Sequence, residues 1–239
     1  MITTTGLNWN TLAPYFGDYG LFVTMVFVAL ILGVTPLRYP FQWLETYYHE
    51  LSHGLAAIIT FGFIHRIKLN IDGSGWCSTR GGNRFIILIS GYMGAALWGG
   101  YLYLAGWALG SQGAVELLYL ELALLAITTL LWVRDPVTLL IIATMALVYG
   151  SPILFPALQG YVSFLLQFTG IYVMLNAIRA PLNLVDGKHV GDGAALADIT
   201  YIVPKGIWIL FWFVFALAVL TFCAATTLPG LQWILTWIS

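Results

Sequence analysis

The chain has 239 residues, of which 60% are hydrophobic and only 8% charged, and its mean hydropathy is +0.90. This balance excludes a water-soluble globular domain and reads as an integral membrane protein set in a lipid bilayer. A net charge of −1 supplies no basic field for nucleic acid and no polybasic segment for anionic lipid, so neither is expected as a partner.

Taken in order, the N-terminal MITTTGLNWN has no Lys or Arg ahead of the first apolar run and no small-residue cleavage site. A retained first span is therefore expected rather than a cleaved signal peptide. Runs suited to a hydrocarbon core of about 30 Å fall near 19–36, 41–63, 85–107, 114–133, 137–149, 153–177 and 204–227. The run at 137–149 is short for a full crossing, which leaves six or seven transmembrane helices. No linker separates two soluble domains and no repeat of fixed period is present, so residues 1–239 are expected to form a single membrane-embedded domain.

The second run contains YYHELSHG, residues 47–54. Glu45, His49, Glu50 and His53 fall within one predicted helix, and ionisable residues inside a membrane segment are costly enough that a functional role is the default expectation. At 3.6 residues per turn, positions 49 and 53 share a face while Glu50 points to the adjacent sector. This is the HExxH arrangement, in which two neutral histidines bind zinc and the glutamate takes a proton from water. A chance match would sit on a solvated helix, whereas this one runs into LAAIITFGFI in a chain with only four histidines.

In the polar stretch 65–84, Ile67, Leu69 and Ile71 alternate with Lys68, Asn70 and Asp72 before Gly73-Ser74-Gly75, a strand-and-hairpin pattern. An unpaired strand edge cannot face lipid, so the hairpin belongs at the surface or in a protein-lined cavity, where the edge at 66–71, with Ile67 and Leu69, can pair with an extended peptide. Arg38 follows the first run, and Arg66, Lys68, Arg80 and Arg84 follow the second. The two loops thus compete for the cytoplasmic side, a conflict removed if 41–63 does not cross fully and the hairpin dips back. Further on, GYMGAALWGG at 91–100 spaces small residues by four, the pattern of close helix packing in lipid. Cys77 lies in the polar loop and Cys223 deep in the last apolar run, so no disulfide between them is expected.

A catalytic zinc takes three protein ligands and leaves a position for water. Candidates for the third are Glu116, Glu121, Asp135, His189 and the aspartates Asp186, Asp192 and Asp198. The aspartates are preferred because NLVDGKHVGDGAALAD pairs two Asp-Gly steps with Pro181 nearby, an irregular backbone tolerated at membrane depth where it lines a cavity. Asp192 precedes a restarted helix and ranks ahead of Asp186, although an N-cap role for the one and a turn role for the other account equally for the residue types.

HELSHG at 49–54, the hairpin and SGYMGAALWG at 90–99 that follow it, and GDGAALADITYIVPKGIW at 191–208 together resemble the site-2 protease family of intramembrane zinc metalloproteases, in particular its compact bacterial branch without an inserted peptide-binding domain. The resemblance spans residues 45–210. It implies cleavage of a peptide bond in or near a transmembrane helix of a membrane protein substrate, with Zn2+ held by His49, His53 and, by match to the family's Asp-Gly, Asp192, and with Glu50 as base. The commoner family pattern, Leu-Asp-Gly-Gly preceded by Asn and prolines, is followed only in part. Asn183 precedes Asp192 with no proline between them, and Val185-Asp186-Gly187 matches as well, so Asp186 stays the alternative ligand and Asn183 a substrate contact. The compact length suggests a prokaryotic plasma membrane. Two rival readings remain: a non-proteolytic subunit or scaffold of a larger membrane complex, which the ten Trp also suit, and, last, a metal transporter.

Overall fold

The computed structural model describes residues 9–185 and 191–237. Helix α1 (Trp9–Leu32), itself broken at Gly17, leads through a 3-10 turn at Pro36–Arg38 into α2 (Tyr39–Ile59). Proline disfavours a helical conformation in the residue before it, and Thr35 is accordingly extended, with φ −108 and ψ 164. The chain therefore turns sharply: Tyr19–Leu32 and Pro36–Ile59 meet at 115°. The two runs expected at 19–36 and 41–63 are one bent span or a re-entrant pair, which agrees with an incomplete crossing by the second.

Among the described residues six α-helices follow the hairpin: α3 (Arg84–Ala108), α4 (Gly110–Trp132), α5 (Pro136–Leu154), α6 (Val162–Arg179), the short α7 (Asp192–Thr200) and α8 (Lys205–Thr227). The short run at 137–149 gains residues at both ends, and the run at 153–177 is divided by a 3-10 turn at Pro156–Tyr161. Among the described residues five helical segments are long and apolar enough to cross a membrane, or six with the bent pair. The lower of the two expected counts is reached and seven is not. The protein is an all-α polytopic membrane protein carrying a small β-hairpin, and Leu120, Leu130, Leu147 and Val214 present apolar side chains outward as a lipid-facing shell requires.

Helix α2 lies inside this shell, with Leu44, Tyr47, Tyr48 and Leu51 at most 2% exposed. Its polar side chains away from the cavity are satisfied: Tyr47 hydrogen-bonds Thr128 at 2.9 Å, and Tyr48 donates to Glu121 at 2.9 Å. Helices α3 and α6 cross in close contact at the small residues noted in the sequence. A Cβ on Gly170 would lie 2.5 Å from the Gly99 carbonyl oxygen, and one on Gly99 2.8 Å from Met174. Backbones this close are how lipid-embedded helices gain packing without a hydrophobic driving force.

The hairpin pairs β1 (Phe63–Leu69) with β2 (Gly75–Arg80) in antiparallel register, Ile67 opposite Cys77 and Leu69 opposite Gly75, with an irregularity between Ile64 and Arg66. The strand starts four residues earlier than the alternation at 67–71 suggested, and Ile71 falls in the turn. That turn is closed by Asp72, which accepts from the Ser74 amide at 3.0 Å and the Ser74 hydroxyl at 2.7 Å, and these bonds hold its carboxyl below the usual range. Thr46 donates to the Gly73 carbonyl at 2.6 Å and Trp43 to that of Ile71 at 3.2 Å, tying the turn to α2.

The outer edge of β1 is covered. The Leu69 N–H donates to Thr138 Oγ1 at 3.0 Å and Arg66 pairs with Asp135 at 3.1 Å, both partners at the start of α5. The edge left open is that of β2.

Candidate metal centre

The i, i+4 spacing on α2 stacks His49 and His53 on one face, with ring centroids 4.6 Å apart. Asp192, the first residue of α7, follows Gly191, whose φ of +89 is the left-handed conformation that favours glycine. This turn brings the carboxylate to α2: Asp192 Oδ2 lies 3.2 Å from His49 Nε2 and 3.2 Å from His53 Nε2, and the two Nε2 atoms are 3.0 Å apart. Burial pushes the Asp192 carboxyl up, but the imidazoles beside it outweigh burial and hold it below the usual carboxylate range.

These distances fit a metal. Zinc bonds of about 2.0–2.1 Å in a tetrahedral shell set neighbouring ligand atoms about 3.3 Å apart. The donor set makes the same point, because His53 Nδ1 donates to the Ile87 carbonyl at 2.6 Å, which leaves the Nε2 of a neutral His53 as a lone pair facing a carboxylate. Three such groups converging on one point can hold a shared cation. Among the described residues His49, His53 and Asp192 are the one His/Cys/Asp/Glu group with this geometry.

The other candidates are elsewhere. Glu121 is bound to Tyr48, Asp135 caps α5 by accepting from the Thr138 amide at 3.0 Å, and Glu116 and Asp198 are exposed. Asp186 and His189 lie outside the described residues.

The cluster opens on a cavity of about 770 Å3 whose walls include Glu50, Tyr92, Asn183 and the β2 residues Gly75, Cys77 and Thr79. Glu50 is buried beside the cluster and packs against β2, where a Cβ on Gly75 would lie 3.1 Å from its Cγ. Burial and, behind it, the charge of Glu50 push the Cys77 thiol up to about 12, and both Cys77 and Cys223 are free of any disulfide. Asn183 lines the cavity. Ile67 and Leu69 do not: both side chains are fully buried on the far strand, and the open edge along the cavity belongs to β2.

Two residues around the histidines escaped the sequence reading. Tyr92 packs edge-on against His49 with centroids 4.4 Å apart and is backed by Trp212, itself anchored through a hydrogen bond to the Ile89 carbonyl at 3.1 Å. Gly91 faces both imidazoles, and a Cβ there would lie 2.6 Å from His53 Nε2 and 2.7 Å from His49 Cε1. Their signal was present in SGYMG but was absorbed by the helix-packing reading.

Gly91→Ala is accordingly expected to lower zinc affinity by about 10–100-fold, the scale seen when groups that orient ligands are disturbed. Alanine is the better helix former by about 0.5–1 kcal/mol, so the metal-free protein should melt no lower than wild type. Zinc titration against a competing chelator, with Tm of the metal-free form, checks both; unchanged affinity would show that the rings yield to the methyl group.

A model of the Peptidase M50B-like family matches residues 22–223, a range that includes α2, the hairpin and Asp192. No curated protein and no solved structure matches the chain. With that match over most of its length, the chain belongs to the Peptidase M50B-like family, the site-2 protease family of membrane metalloproteases.

Proposed function

We propose that this protein is an intramembrane zinc endopeptidase, one domain over residues 1–239, that hydrolyses a peptide bond in or near a transmembrane segment of a membrane protein. The observation that carries the reading is the convergence of His49 Nε2, His53 Nε2 and Asp192 Oδ2 within 3.2 Å of one another beside a buried glutamate. These three side chains would hold the ion. Bound there, zinc polarises a carbonyl and lowers the pKa of water to about 7.

The remaining chemistry falls to the chain. Close packing against Gly75 of β2 holds the Glu50 side chain in place. Glu50 takes a proton from the attacking water as the C–O bond forms and delivers it to the amide nitrogen as the C–N bond breaks. A transmembrane helix keeps its carbonyls bonded internally, so the substrate must unwind before one is exposed. The open edge of β2, running along the cavity past Glu50, is the surface on which an extended segment can pair, and the Asn183 side chain supports its backbone from the facing wall.

The test is cleavage of a synthetic membrane-helix peptide by the detergent-purified protein. Hydrolysis should stop when the metal is stripped by a chelator and return with one equivalent of zinc. Cleavage that persists in the metal-free protein, or none by zinc-loaded protein across a panel of such peptides, would overturn the reading.

A further inference from the structure

A second cavity, of about 300 Å3, opens off the metal-site cavity, the two sharing Gln42, Glu45, Ala180 and Asn183 in their walls. Its outer end is basic. Arg38, from the turn between α1 and α2, and Arg179, from the last turn of α6, both line it. Among the described residues neither guanidinium lies within 4.0 Å of a carboxylate.

Both arginines are positioned rather than loose. Arg38 rests over the Tyr39 ring, 5.0 Å from its centroid, and a Cβ on Gly33 would lie 2.7 Å from Arg179 Nη1, so that guanidinium is packed onto the end of α1. Tyr172, which donates to the Arg38 carbonyl at 3.4 Å, and Asn176, one turn along α6, line the same cavity with polar groups. Both arginines are exposed, so a ligand entering the cavity can reach them, and the guanidinium fork matches a carboxylate. Glu45 stands at the junction with the metal-site cavity, which draws an anion to the outer end.

Resting on the protease reading of the metal centre, we propose that this cavity is a substrate subsite for a carboxylate of the peptide lying along β2. Position 38 precedes His49 by about three helical turns, about 16 Å along α2, and an extended chain covers that distance in about five residues. The arginine side chains reach back, so the acidic residue belongs about three to five residues from the scissile bond. Continuity with the metal-site cavity through Glu45 and Asn183 favours substrate over a lipid headgroup at the same guanidinium pair.

The test uses the full chain carrying Glu50→Gln and loaded with zinc, so that peptides bind without being consumed. The probes are labelled membrane-helix peptides in which one Asp, or the isosteric Asn, is moved through the positions around the centre. At one register Asp should bind about tenfold more tightly than Asn, the selectivity expected of a partly exposed charge-assisted pair. Arg38→Gln and Arg179→Gln should each bring that ratio to about one, while Arg179→Lys keeps part of it. Each ratio is taken within one preparation, so partial unfolding weakens both arms alike.

A ratio near one at every register, or one unmoved in both glutamine variants, overturns the subsite. Loss of co-purifying phosphatidylglycerol in those variants without any Asp preference in the parent assigns the cavity to a lipid headgroup and overturns it as well. The two readings fail separately: cleavage of Asp and Asn peptides alike by protein with Glu50 intact sinks the subsite alone, whereas cleavage of neither sinks the protease reading.

Discussion

Replacing Glu50 with glutamine is expected to lower kcat/KM for peptide hydrolysis by about 10²–10⁴ while the protein still binds zinc, the range a positioned general base contributes. Glutamine keeps the volume and shape of the side chain, so the wall of the cavity stays in place. What it removes is the capacity to take a proton. Glu50 is not among the atoms that converge on the metal position, so metal content should not follow activity. The measurement pairs initial rates on a membrane-helix peptide with zinc per chain, and activity retained within a few-fold would remove Glu50 from the role of base. The variant also separates enzyme from scaffold. A cellular function that survives Glu50→Gln at normal protein levels would belong to a non-proteolytic subunit, because the fold is left intact.

The pairing of His49 with His53 was legible from residue spacing alone, since four residues are just over one helical turn and no long-range contact is needed to place both rings on one face. The meeting with Asp192 was not. It spans 143 residues and depends on the conformation of Gly191, which spacing does not encode. Two Asp-Gly steps six residues apart look alike to any local rule, and local chemistry also allowed Asp192 to be an N-cap. The hairpin shows the same boundary. Alternation at Ile67 and Leu69 marked a strand with one buried face, but which edge stays open is decided by Thr138 and Asp135 from a helix some 70 residues on. Span counting left six or seven open for a different reason, because hydropathy measures length and carries no direction. Gly33 and Pro36 held the local signal of a 115° bend, yet each flanking run was apolar enough to be read as its own crossing.

Removing a metal ligand should have the other large effect. His53→Ala and Asp192→Ala are each expected to weaken zinc binding by about 10²–10⁴-fold, taking one ligand's share of the 10–16 kcal/mol typical of protein zinc sites. Purified protein should then fall from about one zinc per chain to a small fraction. Asp192→Asn separates charge from shape. The amide can still hydrogen-bond an imidazole, so an interaction that was only a hydrogen bond would leave zinc content near wild type, whereas a ligand that must be anionic would not. Asp186→Ala is the matched control: zinc lost there and kept in Asp192→Ala would move the third ligand to the first Asp-Gly step. Asp192 also joins α7 to α2 across the cavity, so an ion held there would fasten two parts of the fold that are distant in sequence. A ligand that binds only the folded state adds ~4 kcal/mol when it is present at a thousand times its Kd. Wild-type protein should therefore melt higher with zinc than without. The Asp192→Ala protein, with its two histidines left facing no anion, should melt at nearly the same temperature in both.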